Sequence, residues 1–490
     1  MQDLLGHAWA LIAFTLHIVV ALRALTRPNR APASRIAWIA VIMLAPLLGM
    51  IAYLLLGETS VGRARAERWI QTVKTIRLPR DECFVPRRVS PRTASLFMLG
   101  RAISGLQWVG GNRIVLLTDP DASADDPVRH SHYAIEAMLA DIAQAREHVH
   151  LAVYIWLADR TGMRMAEAIA AAARRGVACR VMADALGSYA FTHSPAWTMM
   201  ADAGVQMEAT LSDIKRWRHV AFSRADLRDH RKLLVIDNRI AYCGSQNCAD
   251  PEFHVKARFA PWVDLMLRCQ GPVVRQMQAL FLSGWIPESG EAGLEQLAAQ
   301  QVDDVFGRAC VAQMFETGPV VADNALADMF VACIHAARVE LVITTPYFVP
   351  DESILRAICA APRRGVRTVL ILPARNDSLF VGLASRSTYP YLLQNGVELY
   401  EYTAGLLHAK SMTIDGRLSL VGSANMDRRS LELNYENNLL IADREVTASI
   451  RERQAEYLRN ARPVSLASVQ TWPFHRRLVQ NVVGMMAPVL

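Results

Sequence analysis

One eight-residue pattern occurs twice in this chain, as HRKLLVID from His230 to Asp237 and as HAKSMTID from His408 to Asp415. Each copy places a histidine, a lysine and an aspartate at one spacing: His230, Lys232 and Asp237, then His408, Lys410 and Asp415. A Gly-Ser-x-Asn turn follows each copy at the same distance, carrying Ser245 and Asn247 in the first and Ser423 and Asn425 in the second. Such a duplication constrains the chain to two similar halves. Two histidines, two lysines and two asparagines can then converge on one small anion.

The apolar runs after each lysine, broken by Asp237-Asn238-Arg239 and by Asp415-Gly416-Arg417, read as β-hairpins. Residues two apart on a strand share a face, so His230 and Lys232 point the same way, as do His408 and Lys410. A buried histidine beside a solvated lysine would explain one copy but not two with matched spacing. These six motif residues form the candidate catalytic set, with Asp237 and Asp415, on the turn side, expected to be structural.

These residue types suit displacement at phosphorus. Lysine ammonium groups and the donors of Asn247, Asn425, Ser245 and Ser423 can bind phosphate oxygens and offset charge in the transition state, so that no metal and no cofactor is required. One imidazole can attack phosphorus and carry the group covalently while the other protonates the leaving alcohol. Asp264 in PWVDLML and Glu436 in LNYENNLL are the candidates for orienting the histidines.

The doubled motif resembles that of the phospholipase D superfamily. Within it, YIWLADRTG from Tyr154, TPYFVPD from Thr345, GSANMDRRSLELNYENN from Gly422 and the hydrophobic N-terminus are similar to bacterial cardiolipin synthases. The resemblance covers nearly the whole chain. It implies two phospholipase D-like α/β/α halves forming one active site, and conversion of two phosphatidylglycerol molecules to cardiolipin and glycerol through a phosphatidyl-histidine. His230 would be the nucleophile and His408 the general acid. One departure is GSQNCAD in the first copy against GSANMDRRS in the second, which leaves Asp427 and Arg428 without evident counterparts.

Composition agrees with a membrane-associated enzyme. Hydrophobic residues make up 52% of the 490 residues, above the usual ~45–50%. A net charge of +7 suits an anionic partner, lipid or nucleic acid. The apolar runs Ala8 to Leu25 and Ile36 to Leu56 favour lipid: each nears the ~20 residues that span a bilayer, so a transmembrane helical hairpin is expected, with Pro46 and Gly49 leaving a kinked or re-entrant second helix open. No lysine or arginine precedes the first run, which argues against a cleaved signal peptide. The expected partners are phosphatidylglycerol and anionic membrane lipids, not nucleic acid, at a bacterial inner membrane. Arg23, Arg27, Arg30 and Arg35 place the connector between the runs in the cytoplasm, whereas Arg63, Arg65, Arg68, Lys74 and Arg77 place the following chain there. In a two-span hairpin the signals oppose each other. Cysteines without metal spacing, Cys179, Cys269, Cys333 and Cys359 among them, read as free thiols and favour a cytoplasmic catalytic part.

From Ile114 onward strand and helix signals alternate and predict an α/β fold, with helices at Tyr133 to Arg146, Met163 to Arg175, Ala325 to Ala337 and Ile354 to Ala361. Arg174-Arg175-Gly176-Val177 aligns with Arg363-Arg364-Gly365-Val366, and Gly204-Val205 with Gly396-Val397. The chain thus divides into a membrane hairpin (1–60), a basic linker (61–113), a first half (114–300), a second half (301–462) and a tail (463–490). The first half carries an insertion before His230 with Lys215, Arg216, Trp217, Arg218, His219, Phe222 and Arg224, suited to a headgroup layer or to packing on its own domain. In the tail, Leu478, Val482 and Met486 form a helical stripe that either packs on the catalytic part or lies on the membrane. Hydrolysis of lipid or nucleic acid phosphodiesters is the alternative to transfer, decided by water access, and lipid binding without turnover would not need an imidazole pair.

Overall fold

The structure, a computed structural model, describes residues 2–27, 32–59, 61–76, 78, 89–122, 126–212, 224, 226–300, 310–320 and 324–485. Its centre is one sheet built from two copies of a seven-strand unit. The first copy comprises β1 (Val109–Leu116), β2 (His148–Val153), β3 (Ala178–Asp184), β4 (Gln206–Thr210), β5 (Leu233–Ile236), β6 (Ile240–Gly244) and β7 (Met266–Gln270). The second comprises β8 (Cys310–Thr317), β9 (Glu340–Thr344), β10 (Arg367–Pro373), β11 (Glu398–Tyr402), β12 (Ser411–Ile414), β13 (Leu418–Gly422) and β14 (Asn434–Ala442). Spatial order is β4-β3-β2-β5-β6-β7-β1 in one and β11-β10-β9-β12-β13-β14-β8 in the other, with β1 and β8 antiparallel at the seam.

The outer strands β2-β3-β4 and β9-β10-β11 run parallel and are linked by crossover helices, whereas the motif strands join by tight hairpins. Asp159 and Asp351 cap the first crossover helices, Arg160–Arg174 and Glu352–Arg363, by accepting from the Gly162 and Ile354 amides. The paired glycine markers recognised in the sequence follow helix ends: Gly176 and Gly365, and again Gly204 and Gly396, take left-handed backbone that a side chain would strain. One face of the sheet is covered by a core common to both halves, in which the helices Val273–Ser289 and Arg444–Arg459 pack across the seam. On the other face each half keeps its own core. This is the α/β fold in two similar halves that the sequence predicts.

The N-terminus departs from expectation. The first apolar run forms α1 (Gln2–Thr26), but the second breaks into α2 (Pro32–Leu44) and α3 (Pro46–Leu56). Pro46 has no N–H to donate and holds Ala45 outside the helical region, at φ −132° and ψ 74°. Among the described residues no helix is long and apolar enough to cross a membrane, so the expected pair of full spans is corrected to three helices, two of them short. Arg63–Thr75 forms α4, which packs on the catalytic region through Arg65 and Glu288, 3.2 Å apart.

Lys215, Arg216, Trp217, Arg218, His219 and Phe222 of the basic insertion lie outside the described residues; Arg224 is buried against Asp226 rather than presented to a surface. The tail forms a helix, Phe474–Met485, that packs on helix Leu379–Gln394 through Gln480, Val483 and Gly484, while Leu478 and Val482 stay half exposed. Leu478 and Val482 face outward because Gly484, lacking a side chain, lets the other face approach Ser387, and Met486 of the expected stripe lies outside the described residues.

Candidate active site

Each motif hairpin turns at Asp237-Asn238 or Asp415-Gly416, all four at positive φ, and closes with the Arg239 or Arg417 amide donating 3.0 Å to the carbonyl of Ile236 or Ile414. The Asp237 carboxylate accepts from the amides of Arg146, Glu147 and His148 at 2.8 Å each. Asp415 accepts from Arg338, Val339 and Glu340 at 2.7–3.1 Å. These aspartates tie the motif strand to the start of its neighbour at the end of the sheet away from the histidines. Their lone pairs are committed to backbone donors, which takes them out of the candidate catalytic set and gives them the structural role expected from their place at the turn.

At the opposite end the two halves exchange strands. Arg228–Asp229 pairs in parallel with Asn434–Tyr435, and Leu406–Leu407 with Trp262–Val263. The His230 amide donates to Tyr435 O at 2.9 Å and the His408 amide to Val263 O at 2.8 Å. Each histidine is therefore held beside a carboxylate of the other half: His230 Nδ1 lies 2.8 Å from Glu436, and His408 Nδ1 lies 2.6 Å from Asp264. An ionised carboxylate only accepts, so Nδ1 carries the proton and Nε2 of each ring keeps its lone pair.

Ser245 and Ser423 do not reach for phosphate. Ser245 Oγ donates to Asp264 at 2.6 Å and Ser423 Oγ donates to Glu436, while the Leu265 and Asn437 amides donate back to those hydroxyls at 3.0 Å. A hydroxyl has one proton, and here it is spent fixing the carboxylate, which corrects the phosphate-binding assignment of both serines. Glu436 also accepts from Ser430 at 2.7 Å and from Asn434 at 3.1 Å. Burial alone would raise its pKa, but His230, Lys232 and Ser423 hold it at about 2. Asp264 is likewise held low, against its burial, by His408, Lys410 and Ser245. Burial lowers both imidazoles to about 4, only partly offset by their carboxylates, so both are neutral at neutral pH.

Both lysines are buried, and each ammonium donates to the carbonyl of its own histidine, Lys232 at 2.8 Å and Lys410 at 2.6 Å. Burial lowers Lys232 to about 8 and Lys410 to about 7, although Glu436 and Asp264 oppose the shift in both. The charge of Lys410 acts on His230 and that of Lys232 on His408, which shows that the halves converge on one site. Asn247 accepts from the Ile155 amide at 3.1 Å, leaving its buried amide nitrogen without a protein partner. Asn425 donates its backbone N–H to Ser430 and has a buried, unpartnered side-chain oxygen; turned end for end, that amide presents a donor instead. Two ammonium groups, two amides and two neutral imidazoles brought together by the strand exchange are a set suited to hold a phosphodiester and displace one of its esters.

Several participants escape sequence reasoning. The Tyr154 ring sits 4.8 Å from that of His230 and 5.1 Å from the Lys232 ammonium, and the Trp262 ring 4.4 Å from that of His408. Trp262 was within reach, since it stands two residues before Asp264 and shares its face on an extended strand. Arg231 is buried between His230 and Lys232 with ion pairs to Asp229 at 2.6 Å and Glu316 at 3.0 Å; Glu316, 85 residues away, carries no local signal.

The sequence matches the family described as cardiolipin synthase, PLD-like domain, over residues 138–285 and 330–457, and that described as phospholipase D-nuclease N-terminal over 12–58. Cardiolipin synthase A of Cronobacter sakazakii is 39% identical, covering 99% of this chain and 98% of the relative. That of Salmonella arizonae is 38% identical over the same shares. The crystal structure of phosphatidylserine synthase from Haemophilus influenzae superposes with a TM-score of 0.57 over 81% of this chain and 97% of that one; at 13% identity this likeness concerns the fold alone.

Proposed function

The chain belongs to the cardiolipin synthases of the phospholipase D superfamily, and from that membership we propose how its own residues divide the work. The protein is a phosphatidyltransferase of phospholipid biosynthesis, associated with the membrane. Phosphatidylglycerol is both donor and acceptor. Lys232, Lys410, Asn247 and Asn425 hold the non-bridging oxygens of the donor phosphate. His230 Nε2 attacks phosphorus, forming the N–P bond, while His408 protonates the departing glycerol oxygen. The same imidazole of His408 then takes the proton from a hydroxyl of the second phosphatidylglycerol as its oxygen attacks phosphorus and the N–P bond breaks.

The observation that carries this reading is the exchange of carboxylates between the halves, which commits Nδ1 of each histidine to a buried acceptor of the other half and leaves Nε2 for the reaction. Before substrate enters, two ammonium and two carboxylate groups balance. The phosphodiester adds a negative charge that raises the imidazole pKa values, as the acid role of His408 requires. The buried free thiols favour a catalytic part on the reducing, cytoplasmic side of the inner membrane.

Purified enzyme in mixed micelles with labelled phosphatidylglycerol as sole lipid tests the proposal. Cardiolipin with equimolar glycerol is expected, and none from His230→Ala. Phosphatidic acid in place of cardiolipin would make water the acceptor and overturn it.

A further inference from the structure

The α2–α3 unit is a closed helical hairpin. Trp38 packs edge-on to Tyr53 with ring centres 5.5 Å apart, and a Cβ on Gly49 would stand 2.3 Å from Val41 O and 2.8 Å from Ile42 Cα. The pairs 38 with 53 and 42 with 49 fold about the break at Ala45-Pro46, so α3 retraces α2. At about 1.5 Å per residue, the 13 residues of α2 and 11 of α3 reach only about 20 and 17 Å, short of the ~30 Å hydrocarbon core.

Tip and base of this hairpin differ in chemistry. No charged residue occurs from Ile36 to Gly57, and at the tip Leu44 is 86% exposed, with Leu47 and Leu48 also exposed. At the base, Arg23 pairs with Glu58 at 2.6 Å and Arg27 with Glu58 at 3.2 Å, while Arg35 donates to Arg27 O at 3.0 Å. The end of α1, the start of α2 and the end of α3 thus meet in one charged cluster. That cluster touches the catalytic region where Arg428, three residues past Asn425, donates to Ser34 at 3.4 Å.

We propose that α2 and α3 form a re-entrant hairpin whose apolar tip enters one leaflet of a lipid bilayer and returns, placing the α1–α2 connector and the catalytic halves on the same membrane face. The inference deepens the membrane reading above and rests on it. It also removes a conflict in the sequence. With two crossings, Arg23, Arg27 and Arg35 fall on the opposite side from Arg63, Arg65, Arg68 and Lys74; with a returning hairpin all seven share one side, and the positive-inside rule places that side, with the catalytic halves, in the cytoplasm.

Single cysteines in the full-length protein test this, on a Cys83→Ser background whose seven described cysteines are buried. A membrane-impermeant maleimide is applied to sealed inner-membrane vesicles of both orientations. Thr26→Cys, Ala33→Cys and Thr59→Cys are expected to label in the same vesicles as the catalytic-region reference Glu167→Cys, with labelling of Leu44→Cys lost in both. Labelling of Thr26→Cys or Ala33→Cys in the opposite vesicles from Glu167→Cys would establish two crossings and overturn the proposal. Disulfide dimers of Leu44→Cys would assign the tip to a second copy, with the same consequence. Cardiolipin formation assayed in the same vesicles keeps the two readings apart: a failed labelling pattern with cardiolipin still made refutes the hairpin and leaves the enzyme assignment standing.

Discussion

After Asn247 the first motif loop is tied back into its own half: Asp250 accepts from the amide and hydroxyl of Thr161, at 2.9 and 2.6 Å, where a crossover helix begins. After Asn425 the second loop does otherwise. Asp427 accepts from the Ser430 amide at 2.9 Å to start the turn Arg429–Leu433, Arg428 reaches Glu432 and Ser34, and Arg429 pairs with Asp226 of the first half at 2.8 Å. The support beneath the histidines differs as well, since Arg231 locks the first motif through Asp229 and Glu316 where the second has Ala409. The chemistry is duplicated and the mechanical support beneath it is not. Both loops reach the opposite half, the first through Lys256 and Asp377, 2.6 Å apart, and the second through Arg429, but among the described residues it is the second that also ties the site to the N-terminal hairpin.

The largest effects should come from the histidines. His230→Ala is expected to lower turnover by at least about 10⁴-fold and to abolish trapping of a phosphatidyl-enzyme by acid quench. His408→Ala should lose roughly 10²–10⁴-fold on phosphatidylglycerol yet still accumulate the intermediate from a substrate whose leaving group needs no proton. The reverse pattern would exchange the two roles.

Next come the carboxylates. Glu436→Gln and Asp264→Asn should each cost on the order of 10²–10⁴-fold in kcat, because an amide no longer stabilises the imidazolium or enforces the Nδ1–H form. Since each carboxylate serves the histidine of the other half, the phenotype should cross over: Glu436→Gln should slow intermediate formation as a defect of His230 does, and Asp264→Asn should spare it with an activated leaving group. Single-turnover trapping reads the difference.

The lysines set the pH dependence. The ammonium charges must be present to hold the phosphodiester, so kcat/KM should fall as pH rises through about 7, where Lys410 titrates, and about 8, where Lys232 does. Lys410→Arg keeps its charge and should move the alkaline fall up toward that of Lys232. An unmoved alkaline limb would assign it to another group.

Smallest in catalysis are the turn aspartates. Asp237→Ala and Asp415→Ala should each lower stability by about 0.5–1.5 kcal/mol per hydrogen bond lost, since most of the backbone donors belong to exposed residues that water can reach, seen as a fall in Tm, with the folded fraction keeping its kcat. A loss of kcat at unchanged Tm would return them to the reaction.

Much of this was legible because duplication turns weak local signals into a shared pattern. His230 and His408, their lysines, the hairpins and the glycines that follow the crossover helices all recur at matched positions. Asp264 and Glu436 were legible as acceptors because a histidine needs one. Ser245 and Ser423 were misread, since a hydroxyl on a turn next to an asparagine is a donor whose recipient no spacing reveals. The hydrophobic run from Ile36 to Leu56 was legible as apolar but not as folded back, because a single proline permits either a kink or a reversal. Packing of Gly49 on Val41 and Ile42 decides it.

The sequence by itself thus determined the two halves, the residue types at phosphorus and the family, since these depend on local periodicity and on repetition. Only the tertiary structure decided which carboxylate serves which histidine: His230 and Glu436 are 206 residues apart and His408 and Asp264 are 144 apart. Those pairs exist because short strands cross between the halves and bury the carboxylates where hydrogen bonds must satisfy them. A linear pattern carries no term for that requirement.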